Sequence, residues 1–134
     1  METVNQIEYN GTLYNIQDTE AQKSLVYSQN EIDTGKIWID GKKIYRKVID
    51  CGTLPNNLIK NVPMNITNLN QITDLTITTT DPTSNVTIQL PFRNIGGGHI
   101  EAYRRNDNIS LITNADWSSY TKTFAIVEYT KTTN

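Results

Sequence analysis

Residues 36–49 read KIWIDGKKIYRKVI, and this stretch decides the fold class. Two runs of β-forming residues flank Asp40-Gly41, a dipeptide that reverses a chain at little steric cost. In the first arm, alternation points Ile37 and Ile39 one way and Trp38 the other. In the second arm Ile44, Arg46 and Val48 share one face, and Tyr45, Lys47 and Ile49 share the other. Both faces carry apolar residues, so both are expected to be covered. One would meet the core and the other an N-terminal element or a neighbouring chain.

Working outward, similar runs recur downstream: LIKNVPMNI, ITDLTITTT, VTIQLPF, HIEAYRR, NISLIT and TFAIVEYTK. Between them stand turn-forming clusters such as Leu-Pro-Asn-Asn, Asp-Pro-Thr-Ser-Asn and Gly-Gly-Gly. Pro63 removes a ladder donor and assigns its strand to a sheet edge. The last run alternates Phe124, Ile126 and Glu128 against Ala125, Val127 and Tyr129. Short strands at this spacing predict a mainly β domain, an antiparallel β-sandwich or Greek-key barrel, over residues 36–134.

Upstream, residues 1–35 read differently. Asn10-Gly11 predicts a small hairpin over residues 6–16. Residues 17–30, QDTEAQKSLVYSQN, predict one helix of about three turns, with Asp18 at its N-cap and Glu20 in its first turn. EIDTG, residues 31–35, reads as a polar break. The helix is too short for an autonomous coiled coil. It either rests on its own domain or joins a short trimeric bundle, and Leu25 and Val26 then become candidates for a subunit interface together with Trp38 and Tyr45.

The 134 residues suit one ordinary domain plus this segment. A formal charge of -2 gives no drive toward nucleic acid or anionic membrane, and no apolar run is long enough for a membrane helix. One cysteine excludes an intrachain disulfide. One histidine, His99, excludes the usual zinc ligand sets. Cys51 sits in VIDCGTL, which carries no mark of an activated thiol, so a Cys51–His99 nucleophile pair is not supported. Gly96-Gly97-Gly98 lacks the Lys-Ser/Thr of a phosphate loop and reads as a flexible connection. No catalytic residue, cofactor or metal is assigned, and the chain is expected not to be an enzyme.

Two places carry binding chemistry. Asp116-Trp117-Ser118-Ser119-Tyr120 places two aromatic rings among hydroxyl residues in a loop, where ring faces offer contact area at low entropy cost. The competing explanation is that Trp117 plugs the end of the domain. Tyr103-Arg104-Arg105 combines aromatic and basic groups that suit sugars or acidic polymers. The candidate surface contacts are therefore Trp117, Tyr120, Tyr103, Arg104 and His99.

Residues 33–50 around WIDGKKIYRK, the following Gly52-Thr53-Leu54-Pro55-Asn56, the closing IVEYTK of residues 126–131 and the upstream YNGTLYNIQD of residues 9–18 together resemble a C-terminal module of phage tail-fibre and related virion proteins. The resemblance spans most of the chain and is weak over residues 60–120. It implies a virion protein, head fibre or tail fibre, assembled in the bacterial host cytoplasm and homotrimeric. The N-terminal segment would contact capsid or tail proteins, and host-surface polysaccharide is the expected outward partner. A capsid decoration without a receptor is the alternative. Such modules usually cap long fibres, whereas Met1 stands close to the module here, which implies a small stand-alone fibre or a decoration.

Overall fold

The computed structural model describes residues 6–9 and 12–15 by their backbone, and residues 24–133 in full. Strands β1 (Gln6–Tyr9) and β2 (Thr12–Asn15) pair antiparallel with Tyr9 opposite Thr12. The Asn10-Gly11 turn expected between them lies outside the described residues.

The body consists of two antiparallel sheets. The five-stranded sheet has the order β3 (Ile32–Ile37), β4 (Lys43–Gly52), β11 (Lys122–Lys131), β6 (Leu69–Asp81), β7 (Val86–Leu90). The four-stranded sheet has the order β5 (Ile59–Pro63), β10 (Asn108–Thr113), β9 (His99–Arg105), β8 (Phe92–Arg93). The chain changes sheets between β4 and β5, β5 and β6, β7 and β8, and β10 and β11, so the sheets are interleaved along the sequence. As its proline requires, β5 is an edge strand.

One apolar core lies between the sheets. Ile49, Cys51, Ile77, Leu90, Ala125, Val127 and Tyr129 enter it from the five-stranded sheet, and Ile100, Ile109 and Leu111 from the four-stranded one. Each large side chain taken from water here contributes about 1.5–3 kcal/mol. The alternation expected in the last strand is present: Ala125, Val127 and Tyr129 are fully buried, while Phe124 is exposed. Two lysines tie the sheets together where the chain crosses from β4 to β5. Lys47 donates to the carbonyls of Met64 and Asn65, both at 2.9 Å. Lys60 donates back across the gap to the carbonyls of Cys51 and Thr53, at 2.7 and 2.8 Å.

The β3–β4 hairpin differs from expectation in two ways. Its first arm begins at Ile32, so EIDTG is mostly strand rather than a break. Side chains satisfy the irregular backbone there: Asp33 accepts from the Gly35 N–H, and Thr34 donates to the Ile44 carbonyl while accepting from the Lys36 N–H. The turn is also longer than two residues. The Gly41 N–H donates to the Trp38 carbonyl, the Trp38 N–H donates to the Lys42 carbonyl, and Gly41 takes φ +86°. This is a four-residue turn with a glycine bulge, and it carries Ile39 out to the tip at 92% exposure instead of along the face of Ile37.

The two-faced character of β4 holds. Tyr45, Ile49 and Cys51 face the shared core, and Ile44 and Arg46 are buried on the opposite face. Residues 24–30 lie along that opposite face. The first half of the helix expected over residues 17–30 lies outside the described residues; from Leu25 to Asn30 the chain is turn and coil, and no helix forms an element among the described residues. The carbonyls that would continue a helix are drawn elsewhere: those of Ser24 and Val26 accept from the Arg46 guanidinium, at 2.5 and 2.9 Å, and that of Ser28 accepts from the Val48 N–H.

Candidate functional site

The β8–β9 hairpin is built from FRNIGGGHI, residues 92–100. Cross-strand pairing sets Phe92 opposite Ile100 and Arg93 opposite His99. Because successive strand residues alternate, Ile100 is buried in the core while His99, Glu101, Tyr103 and Arg105 share the outer face of β9. The turn between the strands is not a loose tether. Asn94 accepts from the Gly98 N–H through its side chain and donates its own N–H to the Gly98 carbonyl. Asn114 donates from Nδ2 to the Gly97 carbonyl and accepts the His99 N–H, at 3.0 and 2.7 Å. Gly97 takes φ +88°, and a Cβ at Gly98 would stand 3.1 Å from the Asn94 side chain and 3.4 Å from the Trp117 ring. The glycines therefore serve a tight, pinned turn, and its apex presents a fully exposed Ile95.

At the base of this hairpin lies an open groove of about 390 Å³, lined by Pro91, Phe92, Arg93, His99, Ile100 and Glu101. Three apolar residues and three polar ones converge there, the composition of a small-ligand site. Among the described residues, the side chains of Arg93, His99 and Glu101 make no hydrogen bond or ion pair. All three therefore keep their full capacity for an incoming group.

Five residues were expected to contact a surface, and the structure distributes them. His99 lines the groove. Tyr103 lies two alternation steps along the same face, 41% exposed. Arg104 falls on the opposite alternation and donates from Nε to the Asn106 carbonyl at the far end of the strand. Trp117 is 8% exposed and belongs to the core. Its ring meets Phe92 edge-on, with centroids 6.0 Å apart, and packs against Tyr120 at 5.6 Å. Its Nε1 is buried without an acceptor among the described residues. Ligand contact through Trp117 would require this end of the sheets to open, so the aromatic trio acts as the support behind the hairpin. Tyr120 is half-buried in that support.

Arg93, Glu101 and Pro91 were not singled out from the sequence. The alternation in HIEAYRR already aligns His99, Glu101 and Tyr103. Only the pairing across the glycine turn adds Arg93. Burial pushes the Cys51 thiol up to about 11, against a lowering by Lys60, which favours its protonated form. A second cleft, of about 300 Å³ beside β4 and β5, includes Lys47, whose ammonium is already committed to the Met64 and Asn65 carbonyls.

The residues expected at a subunit interface also differ among themselves. Leu25 is 79% exposed, and Val26 and Tyr27 are exposed beside it. Trp38 is half-buried at the hairpin turn. Tyr45 faces the core side, stacked on Tyr129 at 6.1 Å with the Lys131 ammonium 5.2 Å from its ring centre. No protein-family model, curated protein or solved structure matches the chain.

Proposed function

We propose that the protein is a non-enzymatic bacteriophage virion protein, a head or tail fibre whose β-sandwich head attaches to host-surface carbohydrate and whose opposite side assembles into a homotrimer. One observation carries the assembly half of this reading. Leu25, Val26, Tyr27, Ile37 and Ile39 leave large apolar side chains in solvent along and beside the hairpin that bears the family-like sequence. The hairpin holds Ile37 and Ile39, and Arg46 on its second strand fixes the backbone of residues 24–28, so the group is presented on a firm support. A group of this kind signals a partner surface. The outward half rests on the groove at the β8–β9 hairpin, with its unpaired polar groups. Cys51, buried and held protonated, supplies no nucleophile.

Light-scattering mass tests the assembly. Three times the 15.2 kDa of one chain is expected, and a Val26→Asp, Ile39→Asp double variant should fall to the monomer. A monomer at every concentration would remove the assembly claim. Adsorption of the purified protein to bacterial host cells tests the attachment separately.

A further inference from the structure

We propose that the groove at the base of the β8–β9 hairpin binds a carboxylate-bearing sugar residue of an acidic polysaccharide, with Arg93 as the anion partner. The carbohydrate source rests on the attachment reading above; the anion site rests on the groove itself.

The groove leaves its polar side chains unpaired. Elsewhere in the body the arginine and lysines nearest the core are engaged: Arg46 with two carbonyls and Glu128, Lys47 and Lys60 with two carbonyls each, Lys131 with Glu31. Arg93, an exposed residue of the edge strand, has no such partner among the described residues, and it stands directly across from His99. A guanidinium offers a planar fork of donors matched to the two oxygens of a carboxylate. Beside it, the imidazole of His99 can donate or accept, and the carboxylate of Glu101 accepts only. The set therefore calls for a ligand that carries one anion and several hydroxyl donors together. A uronic or sialic acid unit has this composition.

Shape selects the polymer. The groove is open and reaches Glu101, and Tyr103 lies beyond its lining on the same outer face of β9. An extended chain can pass along that face, with an anionic unit at Arg93 and a following ring against Tyr103. Pro91, exposed, and Phe92, half-buried, give the site apolar surface for the C–H face of a sugar ring, while Ile100 is buried beneath them. A free amino acid could meet Arg93 and Glu101 with its carboxylate and ammonium, but it is too short to reach Tyr103 along the face of β9. A polyanion without hydroxyl groups would leave Glu101 unused and repelled.

The test uses the whole chain and defined probes. Trigalacturonate and 3′-sialyllactose are titrated by calorimetry or NMR, against methyl-esterified trigalacturonate and lactose as uncharged counterparts and triglutamate as a non-sugar anion. At least one acid should bind at least about tenfold tighter than its uncharged counterpart, the scale of a charge-assisted bidentate contact. Arg93→Gln should remove that preference, and Arg93→Lys should restore only part of it. Shifts in NMR should centre on Arg93, His99 and Glu101. Equal binding of acid and uncharged counterpart, an unchanged Arg93→Gln variant, triglutamate binding as tightly as the sugar acids, or no binding of either acid would each overturn the proposal. Cell adsorption separates it from the wider reading. Adsorption indifferent to Arg93→Gln removes the site and leaves attachment standing. Arg93-dependent binding of a sugar acid without adsorption leaves the site and removes attachment.

Discussion

The β3–β4 and β8–β9 hairpins stand at the edges of different sheets, and their charged residues have opposite fates. Around the first, Arg46 binds two backbone carbonyls, lies 4.4 Å from the Tyr27 ring centre and approaches Glu128. Glu128 also accepts from Lys36, and Glu31 accepts from both Tyr129 and Lys131. Around the second, Arg93, His99 and Glu101 have no side-chain partner among the described residues. Polar order in the β8–β9 hairpin comes from the neutral amides of Asn94 and Asn114. The difference teaches how to sort charge in a small β protein. Charges whose hydrogen-bonding capacity is filled from within hold the fold, while charges mounted on an independently ordered turn remain available for something outside.

The largest expected effect breaks the first region. Arg46→Ala removes the donor to the Ser24 and Val26 carbonyls and leaves Glu128 with Lys36 alone. Removing one partner from a buried polar cluster costs about 3 kcal/mol or more, because the remaining groups stay desolvated. Urea unfolding should show this loss as a lower midpoint. Arg46→Met keeps the packing stem and loses the donors. A smaller loss in the methionine variant would assign the remainder to packing; no loss in either would mean that residues 24–28 are not held by the guanidinium.

The second effect is a pH dependence on the alkaline side, again from the strands of the first region. Burial holds the Cys51 thiol at about 11, above its ordinary value of 9.0. A raised folded value means that the native state keeps the proton longer than the unfolded chain. The resulting stabilisation is complete below about pH 9 and is lost as pH rises toward 11. Two units correspond to about 2–3 kcal/mol. Burial and the bond to Glu31 also push Tyr129 up, which extends the loss to higher pH. Stability measured from pH 8 to 10 should decline, and Cys51→Ala should flatten the part between pH 9 and 10 while lowering the starting value through the cavity it leaves. A decline identical in the variant would assign it to other groups.

These two effects also show what the sequence could reveal. The alternation in KIWIDGKKIYRKVI and TFAIVEYTK identified the two central strands and their covered faces, because a period of two is a local property of the chain. Pro63 marked an edge for an equally local reason, its missing donor. The long-range partners were hidden. Nothing near Arg46 announces that its donors will reach the Ser24 and Val26 carbonyls, beside which residues 25–30 run as turn and coil. EIDTG looked like a break because its residues are polar; as a strand it satisfies its own backbone through Asp33 and Thr34. In the candidate site, His99 and Tyr103 were legible as unusual residues on one strand. Arg93 was not, since its place opposite His99 follows from a turn that Asn94 and Asn114 close across the fold. Trp117 left two readings open, a loop contact and a plug at the end of the domain; the ring is buried beside Phe92, as the plug reading expects, since an aromatic ring between two sheet ends gains more by burial than in solvent.

The smallest expected effect is the sharpest test of the comparison. Replacing Arg93, His99 and Glu101 together by alanine should leave the unfolding midpoint almost unchanged, within about 0.5 kcal/mol per site, as for surface positions without partners. The reason is geometric. The turn is closed by Asn94, Gly97, Gly98 and Asn114, and the strands are joined by backbone pairing, so none of the three charged or titratable side chains holds the hairpin in place. Asn114→Ala is the matched control. It removes one bond to the Gly97 carbonyl and one from the His99 N–H, and should cost about 1–2 kcal/mol although no charge is altered. If the triple variant unfolded as readily as Asn114→Ala, the three side chains would belong to the scaffold and the contrast between the hairpins would vanish. If it folded normally, and if a hairpin with all three groups removed lost its preference for acidic sugars, then stability and binding would be separable within nine residues of chain.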